Sequence, residues 1–245
     1  MNDSKILTPP SYDELWRTAW GDQQRFGPVH RHRLEELVRV ISALDVRTVL
    51  DVGCGSGEHL VPLAGVGRYI LTGSDISNEA LGLAKHRVPT ARFVHLDIER
   101  EALPEPFDLV MSHQVIEHLL DDVGALRNLA RMARSYVFIS TMQGRMRKSE
   151  VSIGHVRNYS GVELRRKLEG AGLEVLKMWG WGFPFYSPLV RTVVEWLPGG
   201  PPTGSFGLLE KTIAQFLYHL YRFNWPGRGD VLCALAHLRE GQHNN

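Results

Sequence analysis

Short apolar runs separated by segments of helix length constrain this 245-residue chain more than any other feature. Each run has the length of a buried strand, and the segments between most of them carry apolar residues at helical spacing. A helix-length connection returns the chain to the same edge of a sheet, so that consecutive strands lie parallel and helices cover both faces. The sequence therefore predicts an α/β fold with a doubly wound, mostly parallel seven-stranded sheet. The seven runs are TVLDV (48–52), residues 69–73, ARFVHL (91–96), FDLVMS (107–112), YVFIST (136–141), LEVLKMWGW (173–181) and DVLCALAHL (230–238).

The order of these runs divides the chain into four parts. A helical leader (1–45) precedes the core (46–180), and the last strand and tail occupy 230–245. Between the sixth and the last strand lie about fifty residues (181–229), far more than the two to six of an ordinary connection in such folds. Apolar residues recur at helical spacing on both sides of PGGPPTGS in this insertion, which predicts two amphipathic helices.

The composition disfavours several classes of partner and location. Lys and Arg total 28 against 27 for Asp and Glu, so that no strong field attracts a polyanion and nucleic acid is not an expected partner. Cys54 and Cys233 lie far apart and follow no metal-binding spacing, which fits a reducing compartment without disulfides. The sequence shows neither the apolar region of a signal peptide nor a segment of transmembrane length. We therefore expect a soluble, cytoplasmic protein.

The glycine cluster in VLDVGCGSGEHL indicates a ligand site. A glycine-rich turn between the first strand and a helix lets a ligand approach backbone N–H groups. Gly53, Gly55 and Gly57 follow the spacing G-x-G-x-G, and Glu58 stands where a dinucleotide fingerprint has its third glycine. Asp75 follows about twenty residues on, at the end of the second strand, where a carboxylate accepts both ribose hydroxyls. The pattern favours a nucleoside without a pyrophosphate, bound beyond the carboxyl ends of the strands.

Four segments in order resemble the motifs of one enzyme family. VLDVGCGSG, GSDIS, HLDIE and FDLVMSHQVIEHL, within residues 46–141, resemble the class I S-adenosylmethionine-dependent methyltransferases in order and spacing. The resemblance implies a Rossmann-like fold, methyltransferase activity, S-adenosylmethionine as methyl donor and S-adenosylhomocysteine as product. One departure is that the chain lacks the Leu-x-Pro-Gly-Gly turn that many relatives carry before the fifth strand, which leaves the helix-to-strand junction there open.

The same resemblance implies a role for the residues of each motif. The first motif is expected to line the methionine moiety, the second the ribose, the second and third the adenine, and the fourth the sulfonium. By position, the residues are Asp51, Gly53, Cys54 and Gly55 for the methionine, Asp75 for the ribose, Ile76, Asp97 and Ile98 for the adenine, and His113 and Gln114 for the sulfonium side.

The leader interleaves aromatic and basic residues in YDELWRTAWGDQQRFGPVHRHR (12–33). In related enzymes such a segment often caps the cofactor, and an arginine there can pair with the methionine carboxylate in a bidentate manner. We expect Arg31 to play that part, with Arg33 as the second choice. The alternative for the aromatic residues is that they pack a helix onto the edge of the sheet.

The candidates for catalysis follow the fourth and fifth strands. Methyl transfer is an in-line displacement, so that a base is needed only where the acceptor must lose a proton. We expect Glu117 and His118, at the start of the helix after the fourth strand, to converge with His155, and we predict His118, His155 and Tyr159 as the catalytic residues. Two mechanisms remain open: a histidine acts as a general base, or Glu117, His118 and His155 hold a divalent metal. QVIEHL resembles the metal-binding EVIEHL of small-RNA 2′-O-methyltransferases and the corresponding helix of ubiquinone-type O-methyltransferases, but Gln114 replaces the first glutamate of that set, so that no metal is favoured.

The insertion is the most aromatic stretch of the chain and bears on the acceptor. Three interpretations compete: a lid over an apolar pocket, a dimer surface, or a membrane-surface contact for a lipid-linked acceptor. We favour the lid, with a homodimer as an open possibility. The prediction is methyl transfer to an oxygen or nitrogen of a small apolar or aromatic acceptor, with specialised metabolism as one setting. The alternatives are a metal-assisted RNA or lipid-linked O-methyltransferase, and a nucleoside-binding protein without catalysis.

Overall fold

The computed structural model describes residues 12–18, 21–196 and 204–239, and its centre is a seven-stranded sheet. The strands are β1 (Thr48–Val52), β2 (Ile70–Asp75), β3 (Arg92–His95), β4 (Phe107–His113), β5 (Ala133–Met142), β6 (Leu173–Trp181) and β7 (Val231–Leu238). They lie in the order β3-β2-β1-β4-β5-β7-β6. β7 pairs antiparallel with β5 and β6, whereas the pairs among β1 to β5 are parallel. The predicted mostly parallel, doubly wound sheet is confirmed.

Ten helices accompany these strands in the described ranges. They are α1 (Tyr12–Thr18), α2 (Gly21–Phe26), α3 (Pro28–Ser42), α4 (Leu60–Val66), α5 (Asn78–Arg87), α6 (Asp122–Met132), α7 (Lys148–Ser152), α8 (Gly161–Gly170), α9 (Arg191–Trp196) and α10 (Leu208–Leu220). Serine side chains cap two of these helices, because a hydroxyl accepts from an otherwise free helical N–H group. Ser77 Oγ accepts from the N–H of Ala80, and Ser160 Oγ from that of Glu163, both at 3.1 Å.

The core lies on both faces of the sheet because side chains alternate along each strand. Leu50 of β1 and Val110 of β4 pack with residues of α6 and α8 on one face. Val49 and Leu109 pack with residues of α3 and α4 on the other. All four side chains are fully buried, and burial of each such side chain contributes about 1.5–3 kcal/mol. The sheet is therefore a rigid scaffold whose carboxyl edge is left to carry a site.

The helix after β4 begins later than predicted. The sequence places Glu117 and His118 at its start, but they belong to a separate single turn (Ile116–His118), and α6 begins at Asp122. Asp121 caps α6, since its Oδ1 accepts from the N–H of Gly124 (2.9 Å). This cap sets the start of the helix and leaves Glu117 and His118 in the connection between β4 and α6.

The junction without a Leu-x-Pro-Gly-Gly turn is direct. α6 ends at Met132 and β5 begins at Ala133, whose backbone is already extended (φ −87°, ψ 131°). The pairing of β4 with β5 shifts register between Phe107 and Leu109. An irregularity at the beginning of the two strands therefore takes the place of a glycine turn.

The insertion between β6 and β7 is anchored on the leader. It contains a helical turn (185–190), α9 and α10, whereas Leu197 and most of PGGPPTGS fall outside the described residues. The carbonyl oxygen of Tyr218 in α10 accepts from His32 Nε2 in α3 (2.8 Å), and the Tyr218 hydroxyl donates to Glu35. The rings of His32 and Tyr218 stack with centroids 4.7 Å apart. These contacts hold the insertion next to the carboxyl edge of the sheet.

Candidate active site

The carboxyl ends of β1, β2 and β4 meet at one edge of the sheet. Val52 at the end of β1 pairs with Ser74 of β2 and with Ser112 of β4. The strand order reverses between β1 and β4, and such a reversal opens a crevice beyond the strand ends. The segments that carry the predicted site residues therefore lie side by side.

The turn after β1 requires glycine for two separate reasons. Gly53 has φ +72° and Gly55 has φ +52°, a region that L side chains rarely adopt. A Cβ on Gly53 would lie 2.3 Å from Val115 Cγ2, and one on Gly55 would lie 2.4 Å from the indole of Trp16. The turn is thus packed closely between the segment after β4 and helix α1 of the leader.

Asp75 holds this turn from the end of β2. Its Oδ2 accepts from the N–H of Gly55 (2.8 Å), and its Oδ1 accepts from the N–H of Ser77 (2.9 Å). Burial raises the pKa of Asp75, and the N–H groups of both partners oppose that rise. The carboxylate lies between the glycine-rich turn and the start of α5, which is the place that the sequence assigns to the ribose.

Asp51 is a fully buried carboxylate at the end of β1. Its side chain is 0% exposed, and neither oxygen has a hydrogen-bond partner in the part of the chain that the structure describes. His59 Nδ1 is 3.8 Å from Asp51 Oδ2. Burial, followed by the charge of Asp75, raises the pKa of Asp51 to about 8. Burial of a carboxylate without a partner costs free energy, so that we expect a cationic group of a ligand next to Asp51.

Two neutral histidines and an arginine continue the crevice beyond Asp51. The rings of His59 and His113 stack with centroids 4.3 Å apart. Burial and the nearby Arg33 lower the pKa of His59 to about 4, and burial likewise lowers the pKa of His113 well below its usual value. Three nitrogen atoms here have no hydrogen-bond partner among the described residues: both ring nitrogens of His113 and the Nε of Arg33. Arg33 and His113 line a cavity of about 10 Å³, which is room for about one water molecule.

Arg31, the arginine that the sequence predicts for the methionine carboxylate, points away from this crevice and contacts the insertion. Its Nη1 donates to Gln215 Oε1 (2.8 Å), and its guanidinium lies 3.5 Å from the ring centroid of Tyr218. Residues two apart on an α-helix are separated by about 200°, so that Arg31 and Arg33 face opposite sides of α3. Arg33, the second choice from the sequence, is the arginine that faces the strand ends.

The predicted adenine residues lie beyond β2 and β3. Asp97 Oδ1 accepts from the N–H of Glu99 (3.1 Å), and its Oδ2 pairs with Arg100 Nε (3.1 Å). Ile98 is buried, whereas Ile76 is half exposed. The structure thus places one buried and one accessible apolar side chain next to the ends of these strands.

Gln114 and Cys54 complete the predicted set. Gln114 has φ +54°, and its N–H donates to the carbonyl oxygen of Ser140 (2.7 Å). Strained backbone of this kind in residues other than glycine clusters at functional sites. Cys54 is buried, and burial raises the pKa of its thiol well above the usual value. The thiol of Cys54 therefore packs in the turn, and the backbone N–H of Cys54 donates to the carbonyl oxygen of Ser74 (2.9 Å).

Helix α1 of the leader lies over the crevice. The carboxylate of Asp13 accepts from the hydroxyl of Ser77 and from the N–H of Glu79 (3.3 Å). The ring of Tyr12 contacts the ring of His118 edge-on, with centroids 5.9 Å apart. Burial raises the pKa of Tyr12 to about 12. The leader therefore extends from the end of β2 to the segment after β4.

Glu117, His118 and His155 converge beyond β4 and β5. One nitrogen or oxygen atom of each lies within 4.8 Å of the others, and the two imidazole rings are 4.5 Å apart at an angle of 73°. Glu117 Oε2 accepts from Thr141 Oγ1 (2.8 Å), whereas its Oε1 has no hydrogen-bond partner in the described ranges. Burial raises the pKa of Glu117 to about 7. It lowers the pKa of His118 to about 3 and that of His155 to about 4. Both imidazoles are neutral at physiological pH, which suits a proton acceptor and a metal ligand alike.

The hydroxyl of Tyr159, which the sequence predicts to be catalytic, bonds to other residues and does not join this group. It is buried 3.0 Å from the carbonyl oxygen of Ile116 and 2.6 Å from Asp122 Oδ2. The same carboxylate pairs with Arg157 (2.8 Å) and Lys167 (2.5 Å). Burial and the hydrogen bond to Asp122 raise the pKa of Tyr159 far above its usual value. The hydroxyl supports the turn that carries Glu117 and His118 from behind.

A Tyr159→Phe variant is expected to lose about 1.5–3 kcal/mol of unfolding free energy, because a buried hydrogen bond to a charged acceptor is removed. Urea denaturation followed by circular dichroism measures the loss. Tyr69→Phe, at a half-buried tyrosine, serves as the control and should stay near the wild-type value. Equal stability of the Tyr159→Phe and wild-type proteins would contradict the structural role.

Comparison with known proteins relates this site to described enzymes. Residues 50–139 match the family model of a methyltransferase domain. A ubiquinone biosynthesis O-methyltransferase from Nitrosomonas europaea is 32% identical over 142 residues, which cover 54% of this chain and 60% of that protein. A ubiquinone biosynthesis O-methyltransferase from Thiobacillus denitrificans is 26% identical over 205 residues, covering 74% of this chain and 87% of the relative. The match to the Nitrosomonas protein thus spans less than two thirds of its length.

A solved structure shares the fold over nearly the whole chain. The N-methyltransferase NodS from Bradyrhizobium japonicum, in complex with S-adenosylhomocysteine, aligns with a TM-score of 0.61. The alignment covers 94% of this chain and 98% of that structure at 18% identity. At this identity the likeness concerns the fold.

Proposed function

We propose that this chain, which carries a class I S-adenosylmethionine-dependent methyltransferase domain, transfers a methyl group from S-adenosylmethionine to an oxygen of a small acceptor. The observation that carries the proposal is the buried, unpartnered carboxylate of Asp51 beside the glycine-rich turn. The ammonium group of the methionine moiety is a cation that would compensate it. We favour oxygen over nitrogen because a hydroxyl must lose its proton, and neutral imidazoles lie at the same edge of the sheet.

The residues of the crevice fit the cofactor, which supplies the methyl group on a sulfonium when bound. Asp51 would accept from the methionine ammonium, and Arg33 would pair with the methionine carboxylate. Asp75 would accept from the ribose hydroxyls. The remaining positions are those assigned from the sequence: Gly53, Cys54 and Gly55 for the methionine, Ile76, Asp97 and Ile98 for the adenine, and His113 and Gln114 for the sulfonium side.

We assign the removal of the acceptor proton to His155. Burial lowers the pKa of His155 to about 4 and that of the neighbouring His118 to about 3, so that both rings are neutral at physiological pH and able to accept a proton. The proton of the acceptor hydroxyl would move to the imidazole ring of His155, which is neutral before the reaction. The unpartnered Oε1 of Glu117 lies in the same cluster and would stabilise the imidazolium that forms.

The same cluster supports a second candidate, in which a divalent metal orients the acceptor oxygen. Glu117, His118 and His155 bring three potential ligand atoms within 4.8 Å of one another. Gln114 stands where the related metal sites have a carboxylate. A metal ion would therefore have one carboxylate and two imidazole ligands here, from Glu117, His118 and His155. General-base catalysis therefore remains the favoured mechanism, and a chelator separates the two.

We propose that the acceptor is apolar or aromatic and that the insertion covers it. Trp181, at the end of β6, lies 5.7 Å from Tyr186 and 6.0 Å from Tyr221 between ring centroids, and it lines the same cavity as Arg33. These rings form an aromatic cluster beside the crevice, and we propose that an apolar or aromatic acceptor packs next to it. Among the described residues, no helix has both the length and the apolar composition to cross a membrane. A homodimer and a cytoplasmic location stay predictions.

Binding of S-adenosylhomocysteine is expected to release a proton at pH 7. The pKa of Asp51 is raised to about 8, so that its carboxyl is mostly protonated in the free protein, and pairing with the ammonium favours the ionised form. A group whose pKa falls when a ligand binds gives up its proton to the solvent. For Asp51 this release amounts to at most about one proton per site, between pH 4 and 8. Calorimetric titrations in phosphate and Tris buffers measure the release, because Tris takes up a proton with a large heat and phosphate with a small one.

An Asp51→Asn variant should show no such buffer dependence. Asp108→Asn is the matched control, since Asp108 holds the opposite end of the sheet by accepting from the N–H groups of Arg47 (3.0 Å) and Thr48 (2.9 Å). Equal binding heats in both buffers for the wild-type protein would contradict the assignment of Asp51 to the ammonium.

A further inference from the structure

We infer that Arg191 of the insertion is a positioning residue that holds His155 in place through Glu150. The inference rests on the proposed function, in which His155 takes the acceptor proton. Arg191 is the first residue of α9 and belongs to none of the sequence motifs that carry the candidate site. Its side chain nevertheless reaches the segment that carries His155.

The guanidinium of Arg191 is buried between two carboxylates. Arg191 is 7% exposed, and its Nη2 pairs with Glu150 while its Nη1 pairs with Asp230. Glu150 belongs to α7, and Asp230 directly precedes β7. A buried ion requires well-placed partners, and the planar fork of an arginine fixes two of them at once. Docking of α9 therefore fixes the position of α7.

Glu150 in turn fixes the segment around His155. Its Oε1 accepts from Nη2 of Arg191. Its Oε2 accepts from the N–H of Arg147 (2.8 Å) and from Asn158 Nδ2 (3.1 Å). Its backbone carbonyl accepts from the N–H of His155 (3.0 Å). Glu150 thus contacts both the backbone of His155 and the side chain of Asn158.

The placement of His155 matters because its ring completes the cluster after β4. The ring stands nearly perpendicular to that of His118 with centroids 4.5 Å apart. The N–H of the next residue, Val156, donates to the carbonyl oxygen of Glu117 (2.9 Å). A shift of α7 would therefore move the proposed base away from His118 and Glu117.

A second contact joins the same two segments in the opposite direction. Arg147, just before α7, pairs with Glu195 of α9 (2.8 Å) and donates to Thr192 Oγ1 (3.3 Å). Each segment therefore extends an arginine to the other, and the pair formed by Arg191 is the more deeply buried. The insertion and the histidine segment are expected to move as one unit.

Nuclear Overhauser effects between the rings of His118 and His155 test this in the full-length protein saturated with S-adenosylhomocysteine. The wild-type protein should show the cross-peak, because the ring centroids are 4.5 Å apart. Glu150→Ala and Arg191→Met should lose it while their affinity for S-adenosylhomocysteine stays at the wild-type value. Asp230→Ala is the matched control and should keep the cross-peak, since it removes the other carboxylate of Arg191 and leaves Glu150 intact.

The double variant Glu150→Ala/Arg191→Met keeps the test decisive if a single variant does not fold. It removes both charges of the pair together, so that no ion of that pair is left buried and alone. A cross-peak that persists in the double variant overturns the inference. A cross-peak that is lost equally in Asp230→Ala does the same, because Glu150 would then have no particular part. Absence of S-adenosylhomocysteine binding by the wild-type protein contradicts the proposed function instead, and the cross-peaks of the ligand-free proteins still decide the inference.

Discussion

Replacement of His155 by alanine is expected to lower methyl transfer by about 10²–10⁴-fold, the usual contribution of a general base. The affinity for S-adenosylhomocysteine should stay close to that of the wild-type protein, because the proposed cofactor residues lie in α3 and in or directly after β1 to β4, whereas His155 follows β5. The measurement is transfer of a radiolabelled methyl group from S-adenosylmethionine to a panel of phenols and catechols. His86→Ala, at an exposed histidine in the last turn of α5, is the matched control and should be fully active.

Two results of this experiment would change the mechanism. An active His155→Ala variant would remove the residue from the catalytic set. Loss of wild-type activity with EDTA, followed by recovery with magnesium or manganese, would show that Glu117, His118 and His155 hold a metal. General-base catalysis predicts that EDTA leaves the wild-type rate unchanged.

Replacement of Asp75 by alanine is expected to weaken binding of S-adenosylhomocysteine by more than about 100-fold. Two hydrogen bonds from ribose hydroxyls to a carboxylate contribute about 1.5–3 kcal/mol each, and 1.4 kcal/mol corresponds to a factor of ten. The variant also removes the acceptor for the N–H of Gly55, which loosens the glycine-rich turn. Isothermal titration calorimetry measures the change. Asp108→Asn again serves as the control, and wild-type affinity in Asp75→Ala would contradict the assignment.

Much of the fold is predictable because it depends on local patterns. Apolar runs of strand length and the spacing of the glycines predict the sheet, and the acidic residue after β2 predicts where the ribose would bind. The meeting of His118 with His155 is also predictable, because the segments after parallel strands lie at the same edge. These predictions depend only on the spacing of apolar residues and on the order of the strands and helices along the chain.

The contacts that a sequence pattern does not reveal depend on geometry between segments that are distant in the chain. Arg31 and Arg33 both belong to α3, and only the docking of α10 decides which of them faces the crevice. The role of Tyr159 depends on Asp122, which is distant in sequence. His59 and the pair formed by Glu150 and Arg191 lack a sequence motif for the same reason, since their partners come from other segments. The start of α6 was set by Asp121, a cap that the periodicity alone does not reveal.

The central claim is that the crevice binds a nucleoside that carries an amino acid. Calorimetric titration of the wild-type protein with S-adenosylhomocysteine, alongside NAD as the dinucleotide comparison, tests it directly. The account predicts one site with micromolar or tighter affinity for S-adenosylhomocysteine, about −8 kcal/mol or more favourable, and no binding heat with NAD. Absence of binding heat with S-adenosylhomocysteine, or tighter binding of NAD, would contradict the account.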